Sequence, residues 1–95
     1  MAYAVVHEFP GGTKAQYEAS IAAVHPAGGF PAGQISHIAG PSGDSWVIVA
    51  VHDSKRSWEQ FRDGVLMPKM AAGIAGGFAS PPRETTFEVV GQMGA

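Results

Sequence analysis

Apolar and polar positions alternate with period two over residues 2–9, with Tyr3, Val5, His7 and Phe9 on one face and Ala4, Val6 and Glu8 on the other. That spacing predicts a strand, stopped by Pro10-Gly11-Gly12. Thr13 followed by Gln16 is a capping-box pair, and Tyr17, Ile21 and Val24 stand at i, i+4 and i+7, which predicts a helix over about 13–24 ended by Pro26. Residues 34–39 read as a short strand, with Ile35, His37 and Ala39 opposed to Ser36 and Ile38. The turn cluster Gly40-Pro41-Ser42-Gly43 leads into a third strand over 44–52, so the two form a hairpin. Asp53 or Ser54 can cap a second helix whose apolar stripe is Trp58, Phe61 and Val65. Pro68 should break or kink it near Leu66, and Met67, Met70, Ile74 and Phe78 keep helical spacing beyond the break. A last strand occupies 84–90, with Thr85, Phe87 and Val89 opposed to Thr86, Glu88 and Val90.

The order β-α-β-β-α-β predicts an α+β, ferredoxin-like sandwich: one antiparallel sheet with two helices on one face. The 95 residues form a single domain, 1–95, with the first and third strands expected as parallel neighbours. Both strand faces are too apolar for water. Tyr3, Val5 and Phe9 oppose Ala4 and Val6, and Trp46 and Ile48 oppose Val47, Val49 and Val51. Helices cover one face only, so the other should pair with a second copy as a homodimer.

Composition narrows the function classes. There are no cysteines, which removes disulfide scaffolds, thiol catalysis and Cys-ligated metals. Six Lys and Arg in a chain of net charge −2 leave no basic footprint for nucleic acid. An RNA-recognition domain shares the element order, but the basic-aromatic signature of its central strands is absent. No apolar run approaches the roughly 20 residues of a membrane span, and the first residues lack a signal-peptide pattern, so a cytoplasmic protein is expected.

Three stretches resemble one known group. His7-Glu8-Phe9-Pro10-Gly11-Gly12-Thr13 with Gln16-Tyr17 resembles the first strand and helix start of small dimeric α+β-barrel proteins. So does Asp44 to Ser54 running into Trp58 and Phe61, and Leu66-Met67-Pro68 resembles their break after the second helix. The group is the superfamily of antibiotic-biosynthesis monooxygenase-like domains. The resemblance implies a homodimer, with a pocket between each sheet and its helices or within the barrel. Its catalytic residues do not carry over. Members that oxidise aromatic polyketides without a cofactor, and members that degrade haem, use an Asn near the first or second strand, and this chain has no Asn. The haem degraders pair a second-helix Trp with a His about ten residues on, where this chain has Pro68 or Ala71. Where relatives carry Trp-Glu-Ser, it has His52-Asp53-Ser54.

Histidine is the residue type that remains to carry chemistry. Four occur, three of them on predicted strands: His7, His37 and His52. Imidazole moves protons near neutral pH, so these three are the candidate catalytic residues. His25, in a Gly/Pro-rich loop, is expected to be merely exposed. Candidate contacts for an apolar small-molecule ligand are Tyr3, Phe9, Trp46, Ile48, Trp58 and Phe61, the last two serving also as core anchors. No metal-ligand spacing exists, so no metal and no cofactor are expected, with haem ligation by a histidine a minor option. The expected function is proton transfer on an apolar, aromatic or polyketide-like substrate, as a cofactor-free monooxygenase, isomerase or cyclase. The alternative is a non-catalytic ligand-binding or regulatory module of the same fold.

Overall fold

Turn and cap chemistry place each element of the computed structural model, which describes residues 1–25, 27 and 29–93. Strand β1 spans Tyr3–Pro10, and helix α1 spans Lys14–Val24. The capping box forms: the Thr13 hydroxyl accepts from the Gln16 N–H at 3.2 Å, and Gln16 Oε1 accepts from the Thr13 N–H at 3.0 Å. Pro26, expected as the helix stop, lies outside the described residues. Strands β2 (Gln34–Ser42) and β3 (Ser45–His52) form the hairpin. β2 runs three residues further than its alternation predicted, because Gly40 and Pro41 continue the ladder opposite Val47 and Trp46. Helix α2 (Lys55–Phe61) is capped by Ser54, whose Oγ accepts from the Ser57 N–H at 3.1 Å.

Near Leu66, where Pro68 should break or kink the second helix, the α-helical pattern is interrupted but the backbone stays helical. The chain passes from α2 into a π-helical turn, Arg62–Leu66, and then directly into α3, Met67–Ala72. The wider turn accommodates the proline at the start of α3, where a missing N–H costs least. It also inserts one residue into the apolar stripe. Trp58 and Phe61 are buried, but Val65 is exposed and Leu66 packs inward instead. α3 stops at Gly73 (φ 87°), so Ile74 and Phe78 belong to the following strap and not to a helix. Strand β4, Arg83–Glu88, closes the sheet.

The sheet order is β2-β3-β1-β4, and every neighbouring pair is antiparallel. The expectation that the first and third strands run parallel is therefore corrected. A helical crossover returns β2 parallel to β1, and the hairpin then reverses β3 against it. Register sets four rows across the helix-covered face. Gln34, His52, Tyr3 and Glu88 lie side by side, then His37, Ala50, Val5 and Thr86. Next come Ala39, Ile48, His7 and Glu84, and last Pro41, Trp46 and Phe9. Val5, Val24, Trp58 and Phe61 form the core beneath the helices. The opposite face carries Val6, Val47, Val49 and Val51, with Ile38 69% and Phe87 51% exposed.

One irregularity matters for the site. The register slips between Gln34 and Ser36, leaving Ile35 as a bulge and 50% exposed. Strict alternation puts residues 34 and 37 on opposite faces; the bulge brings Gln34 onto the same face as His37 and sends Ile35 away from it.

Candidate functional site

A cavity of about 340 Å³ lies between the sheet and the helices. Its floor includes Val5, Phe9, Ile48 and Ala50 from the strands, and its roof includes Val24, Trp58, Phe61, Leu66 and Met70. Phe78 of the strap stacks on Phe9 with ring centroids 3.7 Å apart and closes one end. The strap is pinned there: a Cβ on Gly77 would meet Ser20 Oγ at 2.9 Å and Ile74 at 2.9 Å. The titratable residues in the wall are His7, His25 and His37.

His7 points inward by strand alternation and pairs across the ladder with Glu84 of β4. Its Nε2 lies 2.8 Å from Glu84 Oε2. A carboxylate can only accept here, so Nε2 carries a proton, and whenever the ring is singly protonated Nδ1 is its basic atom. Trp58 meets the imidazole edge to face at 5.8 Å and holds the ring upright in the apolar wall. The His7 side chain is 12% exposed.

His37 reaches the cavity from β2 and belongs to a hydrogen-bonded line. The Tyr17 hydroxyl lies 2.7 Å from His37 Nε2, His37 Nδ1 lies 3.1 Å from Gln34 Oε1, and Gln34 Nε2 lies 3.3 Å from His52 Nε2. His25 stands edge-on to His37, centroids 5.2 Å apart, and edge-on to Phe61. Burial pushes His25, His37 and His52 below the ordinary histidine value; the neighbouring imidazoles add to the effect at His25, and Asp53 partly opposes it at His52. Burial raises Tyr17.

Among the sequence candidates, His7, His37, Phe9, Ile48, Trp58 and Phe61 line the cavity. His52, Tyr3 and Trp46 do not. His52 is fully buried behind Gln34, Tyr3 packs on the core cluster, and Trp46 lies against Tyr17 at 5.3 Å. His25 is the reverse case: expected as exposed, it is half-buried in the wall. Its position at i+8 from Tyr17 and i+4 from Ile21 continues the inward stripe of α1, a signal the sequence carried. Gln34 and Glu84 carried no such signal, because one depends on the bulge and the other on a partner 77 residues away. Among the described residues no group of three or more His, Asp or Glu is placed to hold a metal ion.

No family model and no curated protein matches the sequence. Solved structures do. The Mycobacterium tuberculosis protein Rv0793 superposes with a TM-score of 0.72 at 16% identity, covering 99% of this chain and 100% of that one. A Chloroflexus aurantiacus protein provisionally named an antibiotic biosynthesis monooxygenase gives 0.65 at 22% identity, covering 99% and 98%. A Bordetella bronchiseptica protein with the same provisional name gives 0.65 at 16% identity, covering 94% and 97%. The α+β chain, with its four-stranded antiparallel sheet and helices on one face, thus shares the fold of these solved structures, two of which are provisionally named antibiotic biosynthesis monooxygenases.

Proposed function

We propose that the chain is a small monooxygenase-like enzyme that takes an uncharged, apolar, ring-bearing molecule into the cavity and removes a proton from it with His7. The observation that carries this is His7, paired with Glu84, standing in a mostly apolar wall beside Val5, Phe9, Ile48, Trp58 and Leu66. Glu84 holds the ring in one tautomer and orients it, and Nδ1 accepts the proton from an acidic C–H or a phenol. No cofactor is needed for that step. The electron-rich carbanion or phenolate then reacts with dioxygen, an activated CH2 and O2 giving a ketone and water, or it rearranges or cyclises without oxygen. His25 faces the same space as a neutral imidazole that can hydrogen-bond a carbonyl or hydroxyl of the ligand, whereas both nitrogens of His37 are taken by Tyr17 and Gln34. The names carried by two structural neighbours support the oxygenase branch.

The same reading includes a homodimer joined through the open sheet face, supported by the unpartnered Val6, Val47, Val49, Ile38 and Phe87.

Oxygen uptake with anthrone, whose central CH2 is acidic, tests the enzyme reading without added flavin, haem or metal. Wild-type protein should consume oxygen with anthrone, and His7→Ala should lose about a hundredfold to ten-thousandfold in rate. Turnover undiminished in His7→Ala would overturn the assignment. Tight binding of anthrone and related phenols with no reaction of any of them would favour the non-catalytic binding module.

A further inference from the structure

We infer that Gln34 and His52 are a positioning pair that fixes the tautomer of His37, leaving Nε2 as its basic atom, and that the Tyr17 hydroxyl is that atom's proton partner on the way to solvent. The inference rests on the proposed reading of the cavity only for the use His37 is put to. The geometry of the line stands by itself.

Polarity along the line follows from donors and acceptors. Gln34 Oε1 can only accept, so the proton on His37 is at Nδ1 and its Nε2 is a lone pair. The Tyr17 hydroxyl, 2.7 Å away, donates to that lone pair. At the other end Gln34 Nε2 can only donate, so His52 Nε2 accepts and the His52 proton is at Nδ1. Turning the amide would reverse every bond and make Nδ1 the basic atom of His37. The orientation of one buried side chain thus decides which nitrogen of a cavity histidine takes up a proton. Gln34 can do this because the Ile35 bulge puts it on the helix-covered face, and because it is itself buried, 7% exposed, opposite His52 in the ladder.

Packing alone does not account for His52. The ring is fully enclosed between Trp58 and Phe61, centroids 5.5 and 6.0 Å away, and its Nδ1 has no hydrogen-bond partner. A leucine or methionine would fill that volume with no orphaned donor, so the polar pair costs stability that a purely structural residue would not. What it provides, with the His52 proton at Nδ1, is an acceptor for the Gln34 Nε2–H, and that bond keeps Oε1 turned toward His37.

Tyr17 completes the path. It does not line the cavity, but it lines an outer hollow that shares His25, His37 and Ile21 with the cavity wall and is bordered by the exposed Phe30. A proton held on His37 Nε2 therefore lies against the Tyr17 oxygen, on a side chain that lines the open hollow.

Nitrogen-15 NMR of the histidine rings reads each tautomer directly and needs no substrate, so its failure leaves the catalytic reading untouched and the reverse holds equally. At pH 7.5, His37 and His52 should both be protonated at Nδ1, while His7, bonded to Glu84 through Nε2, should be the opposite tautomer and serve as the internal reference. In Gln34→Glu the carboxylate accepts from both rings, so His52 should switch to Nε2–H while His37 stays Nδ1–H. In Gln34→Leu the preference of His37 should fall roughly fivefold, the bias one net hydrogen bond supplies. Tyr17→Phe should leave the His37 tautomer in place and slow exchange of its ring proton with water. Should Gln34→Leu fail to fold, the wild-type and Gln34→Glu spectra still decide. His37 found as Nε2–H in the wild type, or His52 unchanged in Gln34→Glu, would overturn the lock. Ring-proton exchange unaltered in Tyr17→Phe would overturn the exit.

Discussion

His52 has no exposed surface, yet its ring is polar, titratable and orphaned at one nitrogen. That combination sets a pH dependence. Burial lowers His25, His37 and His52 from the ordinary value near 6.5, so in mildly acidic solution the unfolded chain binds more protons than the folded one. Their contribution to stability is fully present above about pH 6.5 and is lost as the pH falls through the lowered folded-state values. Urea denaturation at pH 7.5, 6 and 5 should show a declining unfolding free energy, and the double variant Gln34→Met/His52→Leu should decline less steeply. A flat wild-type profile would contradict the burial argument. At this scale the sequence was legible where a strand is regular: alternation grouped His7 with Tyr3, Val5 and Phe9, and His52 with Trp46 and Ile48, and the register joins these groups on one face, while which face the helices cover came only from the structure. It could not show that His52 lies beneath the cavity and not in its wall, since depth depends on how Trp58 and Phe61 pack above it.

Helical and strand periodicities each fail at one residue, and both failures shape the site. The Ile35 bulge recruits Gln34, and the π-helical turn at Arg62–Leu66 moves the inward position from Val65 to Leu66. Single substitutions separate the two registers. Leu66→Ala should cost about 2 kcal/mol of stability, the low end for a partly buried leucine, and should enlarge the cavity. Val65→Ala should stay within about 0.5 kcal/mol. Equal losses, or the larger loss at Val65, would mean an uninterrupted α-helix. Neither irregularity was readable beforehand. Sequence patterns report a period, and a one-residue insertion shows only when the flanking elements are held against the rest of the sheet. Caps were legible for the opposite reason, because Thr13 with Gln16 and Ser54 with Ser57 are satisfied locally.

For the whole molecule, the element order predicted the architecture, since few topologies close a β-α-β-β-α-β chain, while strand polarity had to be corrected from the crossover. Excess hydrophobicity on the open face is equally plain in the sequence, and it motivates the homodimer. Sedimentation equilibrium at micromolar concentration should give a dimer, and Ile38→Lys should yield a folded monomer, because Ile38 is 69% exposed in the single chain and a charge there burdens only the interface. A monomeric wild type would end that proposal. No helix among the described residues is long and apolar enough to cross a membrane. The claim on which the account turns is that His7 acts as a base inside the cavity, and oxygen need not be involved in testing it. Under strict anaerobiosis in deuterated water, the protein should accelerate deuterium exchange at the CH2 of anthrone, and His7→Ala should lose about a hundredfold or more of that acceleration. Exchange in His7→Ala as fast as in the wild type would contradict it.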